Sequence, residues 1–139
     1  MVTEMACVLR KRDPLARKRQ VSARDLVGVP LISLGPRTRI GMLIEDECRK
    51  AGVPAPEVAI EASSSLAACL MVSEGAGIAL VDGATALSGK FGDLAFRPFR
   101  PRIRVQIQMI YTRDRPRSRA AVQLSQALRR IARSEKVTG

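Results

Sequence analysis

Three serines stand together in "IEASSSLAACLMVSEGAGIALVD", residues 60–82, between an apolar-led segment and an apolar-rich one. Hydroxyls placed there have two uses. One Ser at a helix N-cap accepts a hydrogen bond from a first-turn N–H, worth ~1 kcal/mol. Several hydroxyls beside the unpaired N–H groups of a helix N-terminus can also hold an anion such as a carboxylate. A second stretch, "LISLGPRTRIGM", offers the same chemistry, with Thr38 as the cap and Arg37 and Arg39 as cations beside it.

Other chemistries find less support. Glu61 and Asp82 would suggest an acid–base pair, but acidic residues at strand ends are common. "GAG" at residues 75–77 is not a dinucleotide fingerprint, because GxGxxG is incomplete and the next helix comes too late. The chain has no histidine. That excludes a Ser-His-Asp hydrolase and deprives a zinc site of its usual ligand mix, so neither metal nor cofactor is expected. Cys7, Cys48 and Cys69 are an odd number at wide spacings. They read as free thiols in a reducing cytosol, and Cys69 as a packed core thiol.

The net charge is +11, from 24 Lys and Arg against 13 Asp and Glu. A basic chain can bind nucleic acid. Aromatics are only 3%, with one Tyr and no Trp, so single strands have no stacking platform. The cations are dispersed among "RKRDPLARKRQ", "RPFRPRIR", "TRDRPRSR" and "RRIAR", and no helix-turn-helix pattern is visible. Two readings stay open: a solvated basic surface, or contact with a phosphate backbone.

The elements that must position these residues alternate. "EMACVL" reads as a strand. "SARDLVG" is a short turn capped by Ser22, with Asp25 completing a capping-box variant. "PLISL" is a buried strand, followed by a helix from about Thr38 to Ala51. "EVAIEA" is the next strand. A helix from about Ser64 to Glu74 follows, then the strand "GIALV", a short helix or turn in "DGATALSG", and extended "LAFRPF". In "RIRVQIQMIY" apolar and polar residues alternate, which predicts a strand over Arg102–Tyr111 with one buried face. A last helix starts near Pro116 or Ser118, with Ala121, Leu124, Leu128, Ile131 and Ala132 as its apolar stripe. Strands alternating with helices imply an α/β sheet. Ligands of such sheets sit at the carboxyl ends of strands.

The order of the pieces resembles the C-terminal effector-binding region of LysR-type transcriptional regulators. The strand "CVLRKR" leads to Asp13-Pro14-Leu15-Ala16, where the family usually has "HPLA". A "LxxxPLI" segment follows over Leu26 to Ile32, then a helix, a strand and a "VxxGxGIALxP"-like stretch over Val72 to Asp82. The similarity covers roughly residues 3 to 133. Asp13 replaces the usual histidine, and Asp82 the proline often found after "GIAL".

The resemblance implies a periplasmic-binding-protein-like (type II) α/β fold and a cytoplasmic bacterial sensor, not an enzyme. It implies an apparently truncated chain: mostly the distal effector-binding lobe over residues 1–112, with crossover strands near 3–10 and 102–112, and a proximal-lobe helical segment over 113–139. The expected partners are a small, anionic effector, a carboxylate or amino-acid-like metabolite, and further copies of the chain. DNA would be met only through a helix-turn-helix domain without counterpart in these residues, and no membrane is involved. On the distal lobe the family's pocket maps onto Ser33, Gly35, Arg37, Thr38 and Arg39, and onto Ser63, Ser64 and Ser65. The alternatives are a basic nucleic-acid-associating α/β protein without effector, and an enzyme of solute-binding-like fold, which the missing histidine disfavours.

Overall fold

The computed structural model describes residues 1–88, 91–112, 114 and 116–134. Seven strands, β1 (Val2–Arg10), β2 (Val21–Ser22), β3 (Leu31–Ser33), β4 (Val58–Glu61), β5 (Ile78–Asp82), β6 (Leu94–Arg100) and β7 (Arg104–Gln106), form one mixed sheet. Its order is β2-β6-β1-β5-β3-β4, with β7 also pairing β1. β3 runs parallel to both β4 and β5, whereas β1 is antiparallel to β5 and β6. Among the described residues four α-helices are interleaved: α1 (Arg39–Lys50), α2 (Ser65–Ser73), α3 (Gly83–Leu87) and α4 (Arg119–Ser134). No described helix is long and apolar enough to cross a membrane.

Two compact units divide the chain: Glu4–Val105, and Met1–Thr3 with residues 106–139. In the first, strand alternation sorts apolar side chains onto the two sheet faces. Cys7, Leu9, Leu31 and Leu80 share a core with Ile44 and Cys48 of α1. Their neighbours Val8, Ile32, Ala79 and Val81 share another with Ala68, Cys69 and Val72 of α2. Each helix therefore covers one face. All three thiols are free and buried. Burial, followed by the charges of Asp13 and Asp25, pushes the Cys7 thiol up to about 12. Burial, then Asp82, pushes Cys69 up to about 11. Such thiols are packing groups rather than nucleophiles.

The Ser22–Asp25 capping box forms as expected: Asp25 Oδ2 accepts from the Ser22 N–H at 2.8 Å and from its hydroxyl at 2.9 Å. At the far end of α2, Arg10 reaches from β1 and donates to the carbonyls of Val72 (3.1 Å) and Ser73 (2.6 Å).

The strand expected over Arg102–Tyr111 is shorter. Only Arg104–Gln106 is regular strand, and residues 107–112 are not. In the second unit the Ile107 N–H still donates to the Met1 carbonyl at 2.9 Å. An alternating pattern becomes a strand only where a neighbouring backbone pairs with it. Ile110 is accordingly 91% exposed. In the same unit Ser118 Oγ caps α4 by accepting from the Ala121 N–H at 3.2 Å. Along α4 the expected stripe is present but outward-facing, with Leu124 and Leu128 61% and 45% exposed.

Candidate functional site

Parallel pairing decides what shares an edge. Because β3 is parallel to β4 and β5, the carboxyl ends of all three strands lie on one rim. Ser33 pairs with Glu61, and the Ala62 N–H donates to the Ser33 carbonyl at 2.8 Å. Chain then turns into α1 after β3, into α2 after β4 and into α3 after β5. Three helix N-termini thus arise from adjacent strands, and the two serine- and threonine-bearing segments are neighbours there.

Each start is built from its own residues. Thr38 caps α1: its Oγ1 accepts from the Gly41 N–H at 3.0 Å and donates to the Gly35 carbonyl at 2.8 Å. Gly35 makes the preceding turn at φ 84°, a left-handed conformation that glycine adopts readily. Gly41 lets the helix sit on that turn, since a Cβ there would lie 2.1 Å from the Gly35 carbonyl oxygen. Ser64 caps α2, its Oγ accepting from the Ala67 N–H at 3.1 Å. Asp82 caps α3, accepting from the Thr85 N–H at 3.0 Å and its hydroxyl at 2.9 Å.

The three serines have separate fates. Ser63 is exposed; Ser64 is exposed and spends one lone pair on its cap. Ser65 is buried, and its hydroxyl is one of the groups that favour the charged form of the Asp82 carboxyl at the start of α3. Burial acts to raise the Asp82 pKa, but the bonds from Ser65, the Thr85 N–H and the Thr85 hydroxyl outweigh it and hold the carboxyl below its usual value. Asp82 is therefore a structural anion. It forms no acid–base pair with Glu61, because β3 stands between their strands.

Arg37, Thr38 and Arg39 are exposed, and Gly35 is buried. Among the described residues the N–H groups of Arg39, Ile40, Ser65 and Leu66 have no acceptor. Four backbone donors, two guanidinium groups and the Ser63 and Ser64 hydroxyls thus lie at the rim together with the Glu61 carboxylate, which packs against Gly35, while α1 and α2 leave it on opposite faces of the sheet. Ser33 is placed differently from the rest. It is 1% exposed, on the α1 face with Leu31, and its hydroxyl has no partner among the described residues.

Gly41 and the Ser65–Asp82 link were missed in the sequence. The spacing Asp82-x-x-Thr85 is a cap signature that could have revealed Asp82's role. Nothing in sequence marks Gly41, whose close neighbour exists only after the turn has formed.

The family described as "LysR substrate binding domain" matches residues 1–133. The chain belongs to this family. Its members are substrate-binding domains of transcriptional regulators, not enzymes. None of the curated proteins compared with the chain matches it significantly. Among solved structures it is similar to HinK, a LysR family transcriptional regulator from Pseudomonas aeruginosa, with TM-score 0.68 and 16% identity over 94% of this chain and 46% of that one. The regulatory domain of CcmR from Synechocystis PCC6803, solved in complex with 2-PG, gives 0.66 and 17% over 99% and 65%. The effector-binding domain of QuiR, solved with shikimate, gives 0.64 and 13% over 96% and 63%. These likenesses establish the periplasmic-binding-protein-like type II fold. This LysR substrate-binding domain spans less than two thirds of each of these three chains.

Proposed function

We propose that this chain is the effector-sensing part of a cytoplasmic LysR-type bacterial transcriptional regulator and that its effector is a small carboxylate or amino-acid-like metabolite. The observation that carries this reading is the shared rim, where exposed Thr38, Ser63, Ser64, Arg37 and Arg39 stand beside unpaired N–H groups of α1 and α2. Small-molecule complexes of CcmR and QuiR, which share the fold, support it. In this reading residues 1–112 form the distal lobe and 113–139 a segment of the proximal one. Effector binding shifts the balance between lobe arrangements, and other copies and a DNA-binding domain read out the shift.

The test pairs two caps. Thr38→Ala with Ser64→Ala in a full-length relative carrying this domain removes two hydroxyls from the rim. Each cap contributes ~1 kcal/mol to stability. A loss of effector response far beyond the small drop in Tm supports the site. Parallel losses of response and stability reduce both residues to caps and refute it.

A further inference from the structure

The excess of cations is not spread evenly along the chain. Residues 10–24 hold seven Lys and Arg against one acidic residue, whereas residues 40–88 hold two against seven. The sheet carries these segments to opposite edges. The first surrounds β2, which begins the strand order, and the second includes β4, which ends it. Within the unit Glu4–Val105 charge is thus separated across the sheet.

The basic edge displays its cations outward. Ala16, Val21, Ala23 and Leu26 are buried, while Lys11, Arg12, Arg17, Lys18, Arg19 and Arg24 are exposed. Asp13 is spent locally, accepting from the Leu15 N–H at 2.8 Å, and Lys18 pairs with Asp25 at 2.6 Å. Lys11, Arg12, Arg17, Arg19 and Arg24 have neither salt bridge nor side-chain hydrogen bond among the described residues.

A second observation concerns the backbone beneath them. Arg97 of β6 donates from Nε to the carbonyls of Ala16 at 3.0 Å and Lys18 at 2.9 Å, and from Nη2 to Ala16 at 2.7 Å. The Lys11 N–H donates to the Asp93 carbonyl at 3.0 Å, and β2 pairs with β6. One guanidinium is therefore spent on fixing the loop that carries the free cations. A surface fixed before its partner arrives loses less freedom on binding.

The acidic edge of another copy is a poor match, because Asp46 and Glu47 there are already paired with Arg49 and Lys50. A row of phosphates is a better one, since duplex DNA carries a charge every ~1.7 Å of its axis. Residues 10–24 include no aromatic side chain on which a base could stack, which favours a duplex over a single strand. The family is one of transcriptional regulators, so duplex DNA is the polyanion at hand. We propose that the β2 edge is a contact surface for the phosphate backbone of duplex DNA, made by Lys11, Arg12, Arg17, Arg19 and Arg24 and additional to any DNA-binding domain. Neither the rim nor an effector takes part.

Fluorescence anisotropy of a short labelled duplex, titrated with the whole chain at several salt concentrations, tests it. The slope of log K against log salt should be about −4 to −5, as these cations each meet a phosphate. Lys11→Gln with Arg12→Gln, and Arg17→Gln with Arg19→Gln, should each flatten it by ~2 and weaken binding at about 0.1 M salt by more than about tenfold. Arg129→Gln with Arg130→Gln on α4 removes the same charge elsewhere and should leave the slope unchanged. Arg24→Gln alone, flattening the slope by ~1, serves if a double variant fails to fold. Equal flattening by the α4 pair would reduce the effect to bulk charge and overturn the proposal. Equal affinity for a single strand of the same length would overturn it too. So would edge variants that change sedimentation equilibrium but not the DNA slope, which would make the edge a contact between copies.

Discussion

Substituting Gly41 by Ala tests how the rim is assembled. In an open helix this change gains ~1 kcal/mol, because glycine is a poor helix former. Here the new methyl would meet only backbone: the Gly35 carbonyl oxygen at 2.1 Å, Pro36 Cα at 2.7 Å and Gly35 C at 2.9 Å. Relief needs a shift of roughly 1.3 Å or more to reach ordinary contact. The carbonyl cannot withdraw alone, since it accepts from both the Thr38 hydroxyl at 2.8 Å and the Thr38 N–H at 3.2 Å. Overpacking of this kind costs ~2–3 kcal/mol. Losing the Thr38 cap adds ~1 kcal/mol, about what helix propensity returns. A net destabilisation of ~2–3 kcal/mol follows. With a urea slope of ~2 kcal/mol/M, the unfolding midpoint should fall by ~1–1.5 M at unchanged slope. Gly92→Ala is the control, as nothing lies within 4 Å of a Cβ there. A midpoint for Gly41→Ala equal to or above that of the parent chain refutes the close-approach argument.

Asp25 sets an acid limit. The Lys18 ammonium first, then the Ser22 N–H, holds its carboxyl at about 2 against an ordinary 3.8. Its contribution to stability is fully present above pH 3.8 and is lost as pH falls through about 2. Acid unfolding curves of Asp25→Asn should therefore be shallower in that window than those of the parent. On α4, Leu124→Glu with Leu128→Glu should shift sedimentation equilibrium toward monomer, because those exposed side chains form an apolar surface suited to self-association. An unchanged association state would place the contact elsewhere. The isolated chain should bind DNA only nonspecifically, with affinity falling steeply as salt rises; a sequence-selective footprint at physiological salt would refute this.

Local rules carried much of the reading. Thr38, Ser64 and the Ser22–Asp25 box were legible because a cap is decided within four residues. The α/β order was legible from periodicity and turn residues, and the rim followed from it once β3, β4 and β5 proved parallel. What escaped depends on distant chain. Arg10 caps α2 from 62 residues away in sequence. Ser33 looks like its rim neighbours in sequence, yet strand alternation turns it onto the α1 face with Leu31. The overlong strand at 102–111 shows the same limit: alternation states a preference for two unlike faces, but which residues enter the ladder is decided by pairing with distant chain. The stripe on α4 was correctly patterned, but a pattern does not say which face is covered.

The place of β1 in the sheet bears on how the chain is made. β1 is first in sequence but sits mid-sheet, between β5 and β6, with Cys7, Val8 and Leu9 fully buried. Its partners in the ladder lie about 70 to 90 residues downstream. At ~5–20 residues per second, a ribosome exposes this apolar strand for roughly 4–18 s before its neighbours exist. The β3-to-β5 parallel unit can begin to form in that interval, but its sheet stays open on the side β1 will occupy. Folding thus closes late, so that premature termination before β5 would release a chain whose hydrophobic β1 has no ladder partner, a substrate for chaperones rather than a smaller working domain.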